Sequence, residues 1–346
     1  MKKAAPIIGL IVGIALACLL ALFFRENPLH VLKVLLTSSY NSKFDFGLTL
    51  FYTTCLIFSG LAFSIPMKAG LFHIGAEGQI IFSAVVAAYL GHVLPFDTSF
   101  SILLLCVLTA LAGFLAAYVI ALLKLYRQAH EVVVAIMLNF ILSAFATWFT
   151  INRLQNPNSQ NPETHLIQPS FQFLNNDFLK VYFEQSAVSS FFLVAILFCI
   201  VLFILEQKTL WGLQIRAYGS NPLAARRLQI SDFKILTISL GLAGVCSALV
   251  GLTEVLGNTF QFKIGFSPQY GFLGIAVALL ARNNFLGIIA SAFLMASLHK
   301  GASDLDLETK FLTRDFSLIL QAIIIFSVAS SYYFFNYRFK KKVKLD

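Results

Sequence analysis

The stretch that decides the class of fold runs from Phe46 to Met67 and reads FGLTLFYTTCLIFSGLAFSIPM, without a charged side chain. A helix of about 20 apolar residues crosses the hydrocarbon core of a bilayer, which is about 30 Å thick. Similar runs recur along the whole chain between short polar breaks. They predict spans near residues 4–24, 44–66, 71–94, 100–123, 131–151, 188–206, 235–257, 267–281, 285–300 and 314–335. The predicted fold is therefore all-α, a polytopic membrane protein of about ten transmembrane helices.

The composition agrees with a membrane protein. Of the 346 residues, 58% are hydrophobic and 12% are charged, and the mean hydropathy is +0.82. A soluble globular chain carries about 25% charged residues. These values exclude a cytosolic enzyme, a secreted disulfide scaffold and a disordered protein. All five cysteines lie in apolar runs without a C-x-x-C pair, so we expect neither a disulfide framework nor a metal site.

The net charge of +9 is an orientation signal once it is divided between the two sides of the membrane. If the N-terminus is inside, 16 of the 25 lysines and arginines fall on the inner side. Cytoplasmic loops are enriched in basic residues, so both termini are predicted to be cytoplasmic. The basic tail 336–346 fits lipid headgroups. The bilayer explains the charge, and a nucleic-acid partner is not expected.

Two connections are longer than turns, the outer loop 152–187 and the inner loop 207–234. In the inner loop, Asn221 and Pro222 predict a helix start, with Asn221 as N-cap and the helix over residues 223–229. Such a helix could dock a soluble partner, or it could be an amphipathic loop held at the headgroups by arginines. The residues alone do not decide between these two interpretations.

The third predicted span opens with GLFHIGAEGQ, residues 70–79, which combines glycines with His73, Glu77 and Gln79. Ionisable side chains at membrane depth usually face a bundle interior or a wet cavity. A helix would place His73 and Glu77 on one face. These residues are candidates for a substrate pathway. The alternative is a glycine-rich helix contact in which Glu77 makes a structural hydrogen bond.

Other polar and aromatic positions carry weaker signals. Asn139, in the middle of a span, either bridges helices or contacts a ligand. Glu254 lies near the outer end of the seventh span, where solvation is a sufficient explanation. Phe262, Tyr270 and Phe272 suit an interfacial aromatic belt, and they could also stack on a flat ring.

Each half of the chain contains one glycine-interrupted segment, near residues 70–78 and 271–274. Paired interruptions of this kind indicate two pseudo-repeated halves with a binding region at their interface. The eighth and ninth predicted spans are short and form either two tilted spans or one re-entrant hairpin. No phosphate-loop, H-E-x-x-H or G-x-S-x-G motif occurs, so no catalytic residues are assigned.

Several motifs together resemble the permease subunits of bacterial ABC importers for simple sugars and nucleosides, which are related to ribose and branched-chain amino-acid permeases. They are GAEGQ at 75–79, IMLN at 136–139, RAYGSNPLAA at 216–225 and the segment 265–288. The resemblance covers about residues 60–330. It is strongest to the nucleoside branch, and there to the larger of two paired permeases.

The resemblance implies a single permease domain over 1–346, in the bacterial cytoplasmic (inner) membrane, working by alternating access. It implies three partners: a separate ATPase that uses ATP, a second permease that is identical or different, and an extracytoplasmic substrate-binding protein or lipoprotein. No cofactor is expected on this chain. The residues that match the ATPase-docking motif are Arg216, Ala217, Gly219, Asn221, Pro222, Ala224 and Ala225.

The chain also departs from the family pattern. His73 stands where relatives usually have Asn, and Leu273 stands where they often have a polar residue. The substrate is therefore open among nucleosides, sugars and branched-chain amino acids. A second hypothesis is a stand-alone proton-coupled transporter that uses His73 and Glu77 as its proton site.

Overall fold

The computed structural model describes residues 5–94 and 99–309, together with residues 319, 322–323, 326–327 and 330–331. Within these residues, seven helices are long and apolar enough to cross a membrane. The helices are α1 Ala5–Phe23, α2 Pro28–Thr37, α3 Lys43–Lys68, α4 Ala76–Val93, α5 Ser99–Arg127, α6 Glu131–Phe149, α7 Phe178–Tyr182, α8 Phe191–Lys208, α9 Leu210–Ser220, α10 Pro222–Arg227, α11 Asp232–Glu254, α12 Tyr270–Leu280 and α13 Phe285–Glu308.

The seven spanning helices are α3, α4, α5, α6, α8, α11 and α13. They confirm the all-α polytopic fold. The predicted start of the third span at residue 71 is wrong, because α4 begins at Ala76 and Gly70 adopts a left-handed conformation with φ of 75°. Most of the tenth predicted span, 314–335, lies outside the described residues.

The eighth predicted span is a half-length helix. α12 has 11 residues, about 16 Å at 1.5 Å per residue, which is half of the hydrocarbon thickness. α13 has 24 residues and is long enough to cross, and it extends past residue 300 to Glu308. The pair is thus a half-helix followed by a full span, and α12 starts beside the middle of α3, with the Tyr270 ring 6.5 Å from that of Tyr52.

α3 is the centre of the bundle, because nearly every residue from Thr49 to Pro66 is buried. α8, α11, α12 and α13 pack against it. On the other side of α11, small residues bring α5 close, and a Cβ placed on Gly244 would lie only 2.1 Å from the carbonyl oxygen of Gly113. Small residues allow this close helix contact in a membrane, where apolar burial alone gives little association energy.

The outer loop is folded onto the segment that precedes α12. The Thr164 N–H donates to the carbonyl of Phe262, and the Ile167 N–H donates to the carbonyl of Phe260. The loop therefore holds residues 260–264, the first part of the connection between the π-helical end of α11 at Val255–Thr259 and the start of α12.

Candidate functional site

The segment 69–75 enters the bundle without helical structure before α4 begins at Ala76. The side chain of Asn139 holds it from α6. Its Oδ1 accepts from the Gly78 N–H at 2.9 Å, and its Nδ2 donates to the Ile74 carbonyl at 2.9 Å. Asn139 therefore connects α6 both to the first turn of α4 and to the backbone just before it. Unwound backbone is tolerated in a membrane where protein partners satisfy it in this way.

His73 and Gln79 lie together inside the protein. The imidazole is 1% exposed, and its Nε2 lies 3.3 Å from Oε1 of Gln79. The Ser247 hydroxyl donates to the same Gln79 oxygen from α11. The expectation that helical spacing places His73 and Glu77 on one face is wrong, because His73 precedes the helix.

Glu77 connects the two glycine-interrupted segments. Its Oε2 accepts a hydrogen bond of 2.7 Å from the N–H of Gly271, in the first turn of α12. A carboxylate is favourable there because the helix dipole is positive at the N-terminus. The backbones approach so closely that a Cβ on Gly271 would lie 2.4 Å from the Glu77 nitrogen. The two interruptions predicted from sequence thus meet in space.

A cavity of about 280 Å³ lies next to the start of α12. Its walls come from α3, the end of α11, the loop before α12, and α13. The lining residues are Leu48, Phe51, Tyr52, Glu254, Asn258, Gly265, Phe266, Ser267, Pro268, Gln269, Tyr270, His299 and Ser303. Among the lining residues that the structure describes, none is lysine or arginine. The cavity combines aromatic rings with uncharged polar groups and one carboxyl group.

Glu254 is the acidic residue of this cavity. Its residue exposure is 5%, so the expectation of simple solvation is wrong, since Glu254 faces the cavity inside the bundle. Asn258, in the π-helical turn, donates from Nδ2 to Oε1 of Glu254 at 2.9 Å. On the opposite side, the rings of Tyr52 and His299 pack edge to face at 4.7 Å.

The predicted pathway residues have different positions. Tyr270 lines the cavity, and Glu77 anchors the helix that begins with Tyr270. Phe262 is 2% exposed and packs on Phe266 under the outer loop, whereas Phe272 is 39% exposed and is not among the lining residues. His73, Gln79 and Asn139 support the helix start rather than line the cavity.

The sequence analysis did not predict Asn258, His299 and Ser303 as cavity residues, and it explained Glu254 by solvation alone. Glu254 carried a usable signal, since an ionisable residue in an apolar helix indicates a functional position. The other three had no distinguishing signal, because their meeting depends on how α13 packs beside α3 and α11.

Lys180 of the outer loop supports the cavity wall. Its Nζ donates to the Gly257 carbonyl at 3.1 Å and lies 4.9 Å from the centre of the Phe260 ring. Burial lowers the pKa of Lys180 because it disfavours the ammonium ion, and the nearby charge of Asp177 opposes this only in part. The loop is thus tied to the turn that carries Asn258.

The predicted helix start in the inner loop is confirmed. Asn221 caps α10, and its Oδ1 accepts from the N–H groups of Leu223 and Ala224 at 3.0 and 3.1 Å. The helix ends at Arg227, two residues before the predicted end, where Arg226 pairs with Asp232 at 2.6 Å. That carboxylate raises the pKa of Arg226 by a hydrogen bond and by its charge.

The residues of the predicted docking motif have different environments. Asn221, Pro222 and Ala224 are exposed, Arg216, Ala217 and Gly219 are partly buried, and Ala225 is buried. The guanidinium of Arg216 donates to the Glu206 carbonyl at 3.0 Å. A Cβ on Gly219 would lie 2.2 Å from the Lys68 carbonyl oxygen. Part of the motif therefore joins α9 to the end of α3, and part faces outward.

Comparison with known proteins identifies a family and several relatives of this chain. The family model "Branched-chain amino acid transport system / permease component" matches residues 44–329. Over 329 residues the chain is 29% identical to the guanosine ABC transporter permease protein NupP of Bacillus subtilis (strain 168), covering 94% of this chain and 93% of the relative. It is 28% identical to the nucleoside ABC transporter permease protein NupB of Lactococcus lactis subsp. cremoris (strain MG1363), covering 95% and 91%.

A third relative is named for a sugar. The glucose ABC transporter permease protein TsgB13 of Haloferax volcanii is 24% identical, with 98% of this chain and 90% of the relative covered. No solved structure matches the chain.

These matches support an ABC permease and not a stand-alone proton-coupled transporter. All four motifs that carry the sequence resemblance lie inside the matched region 44–329. The family implies that an ATPase and a second permease work with this chain. The protein therefore belongs to the family of the branched-chain amino acid transport system permease component, and it is a multi-pass permease subunit of an ABC importer rather than an enzyme.

Proposed function

We propose that this permease moves nucleosides inward across the bacterial cytoplasmic membrane, with both termini on the cytoplasmic side. The observation that carries the proposal is the cavity beside α12, which joins aromatic rings to uncharged polar groups. Rings such as those of Phe51, Tyr52 and Tyr270 can stack on a nucleobase, and stacking accepts any base because each has a flat face. Polar groups around the rings suit ribose hydroxyls.

The charge of the cavity separates the candidate substrates. An amino acid brings a carboxylate, which proteins commonly bind with arginine or lysine, and the described lining residues include neither. Glu254 can pair with the ammonium group of an amino acid, but the carboxylate of that amino acid would find no lysine or arginine among the described lining residues. A neutral nucleoside or sugar leaves no charge unpaired. The aromatic rings and the names of NupP and NupB favour the nucleoside over the sugar.

We further propose that the exposed part of α10, with Asn221, Pro222 and Ala224, docks the ATPase. A substrate-binding protein or lipoprotein would deliver substrate at the outer loop. The chain itself carries no phosphate-loop motif, so ATP hydrolysis is assigned to the partner.

Contacts inside the chain offer a route from the ATPase to the cavity. The end of α9 lies against residues 68–70 through Gly219, and the segment 69–75 leads to Glu77. Glu77 in turn holds the first turn of α12, which begins at the cavity with Tyr270. Movement of α9 would therefore displace the cavity wall through this chain of contacts.

The proposal is tested by reconstituting the chain in proteoliposomes with its ATPase, second permease and binding protein. ATP-dependent uptake of labelled guanosine, glucose and leucine is then compared. Guanosine uptake that exceeds both others supports the proposal. Uptake of only glucose or only leucine contradicts the nucleoside assignment.

A further inference from the structure

We infer that Glu254 determines which substrates the cavity accepts, by presenting a buried carboxyl group to two adjacent N–H or O–H donors of a neutral ligand. The inference rests on the proposed function and names the chemistry by which that cavity recognises its substrate.

The position of Glu254 gives the first argument. The residue is 5% exposed, yet it forms part of the cavity wall. Asn258 binds Oε1 and so orients the carboxyl group. In the described part of the chain, Glu254 is absent from the ion pairs. The charge of Lys263 acts on Glu254 without a direct ion pair between them. Burial of a carboxylate without a cation in direct contact is costly, and hydrogen-bond donors reduce that cost. A ligand that brings donors supplies what the site lacks.

The backbone around the cavity gives a second argument. Gln269 has a left-handed conformation with φ of 64°, although it is not glycine, and it lines the cavity immediately before α12. A left-handed conformation is unfavourable for a residue with a side chain, and it persists where the surrounding structure enforces it. The outer-loop contact of Lys180 with Gly257 stabilises the neighbouring turn. The wall opposite α3 is thus held in a fixed shape.

Two parts of a nucleoside present adjacent donors to a carboxyl group. One is the guanine edge with its ring N–H and amino group, and the other is the 2′,3′-diol of ribose. The Watson–Crick edge of adenine pairs its amino donor with a ring acceptor, so it does not match. Phosphates bring net negative charge, so the cavity would reject nucleotides.

The test uses the complete importer in proteoliposomes, with its ATPase, second permease and binding protein. ATP-dependent uptake of guanosine, adenosine and 2′,3′-dideoxyguanosine is measured for the unmodified chain, Glu254→Gln and Glu254→Asp. The control is Glu308→Gln, since Glu308 is an exposed residue outside the cavity. We expect Glu254→Gln to lower guanosine uptake about 10- to 100-fold, because one strong acceptor is replaced by a donor. Glu254→Asp keeps both acceptor oxygens and should retain more uptake.

The substrate series identifies the donors. If Glu254 binds the guanine edge, Glu254→Gln slows guanosine and dideoxyguanosine and spares adenosine. If it binds the diol, guanosine and adenosine slow together, and dideoxyguanosine is a poor substrate of the unmodified importer. Both patterns support the inference.

The inference is overturned if Glu254→Gln leaves the uptake rates and the ratios between substrates unchanged. It is also overturned if the unmodified importer carries all three substrates and Glu254→Gln lowers the uptake of all three equally. If Glu254→Gln fails to fold, Glu254→Asp with unaltered substrate ratios and rates overturns it. Failure of the unmodified importer to take up any nucleoside contradicts the proposed function instead.

Discussion

The carboxylate of Glu77 accepts a 2.7 Å hydrogen bond from the N–H of Gly271, 194 residues further along the chain. This contact joins the start of α4 to the start of α12, and both starts follow non-helical backbone. The two backbones also approach closely at this point, since a Cβ on Gly271 would lie 2.4 Å from the Glu77 nitrogen. The contact therefore holds together the two irregular segments of the membrane domain.

Replacement of Glu77 by alanine should destabilise the protein by about 1–3 kcal/mol, because the buried N–H of Gly271 loses its acceptor. Glu77→Gln keeps a carbonyl acceptor and should lose less. Thermal unfolding in detergent measures both changes. Glu308→Ala removes an exposed acidic side chain and serves as the control. A melting temperature for Glu77→Ala equal to that of the control would show that the hydrogen bond adds nothing.

Gly271→Ala should separate the two helix starts, since its Cβ would lie 2.4 Å from a backbone atom that cannot rotate away. We expect a loss of about 1–3 kcal/mol, typical of overpacking. Gly287→Ala is the matched control, because its nearest contact would be 3.3 Å. Thermal unfolding in detergent compares the two variants, and equal melting temperatures would contradict the close approach.

Gly219→Ala tests the route from α9 to α12. The new Cβ would meet the Lys68 carbonyl oxygen at 2.2 Å, so α9 must shift away from residues 68–70. We expect substrate uptake to fall more than tenfold while the ATPase still copurifies. The reason is that movement of α9 reaches the cavity only if α9 stays in contact with residues 68–70. Ser220→Thr adds a methyl group at the neighbouring exposed position as control. Normal uptake in Gly219→Ala would rule out this contact as the route.

Ala224→Glu should release the ATPase without unfolding the permease, because Ala224 is exposed on α10 and the change places a charge in the proposed interface. Copurification of the ATPase measures the effect, and we expect a loss of about tenfold or more in affinity. Asn158→Glu adds the same charge to the exposed outer loop as control. If the ATPase is retained equally by both variants, Ala224 lies outside the interface.

Lys180→Met should loosen the cavity wall, because Gly257 loses its donor and Phe260 loses its cation contact. The expected loss is about 1–3 kcal/mol, with weaker substrate uptake as well. Lys33→Met is the control, since Lys33 is exposed on α2 and is not among the residues that line the cavity. Thermal unfolding and uptake are measured together, and an unfolding temperature no lower than the control's would contradict a supporting role for Lys180.

The amino-acid sequence was sufficient to predict the all-α class, the approximate positions of the seven long spans and the capped helix at Asn221, although not the start of α4 or the end of α13. These features depend on neighbouring residues, since apolar length sets a span and a cap bonds to the next turn. It also indicated that the segments near Glu77 and Gly271 belong together, because glycine interruptions stand out within apolar runs.

The remaining features depend on how the helices pack. Only packing shows that α12 is a half-helix beside the middle of α3, and that Glu254, Asn258 and His299 share one cavity. It also shows that Gly219 of the predicted docking motif packs against the carbonyl of Lys68. The physical reason is range: helix length and capping are set by local contacts, whereas a cavity is formed where helices distant in sequence leave space between them.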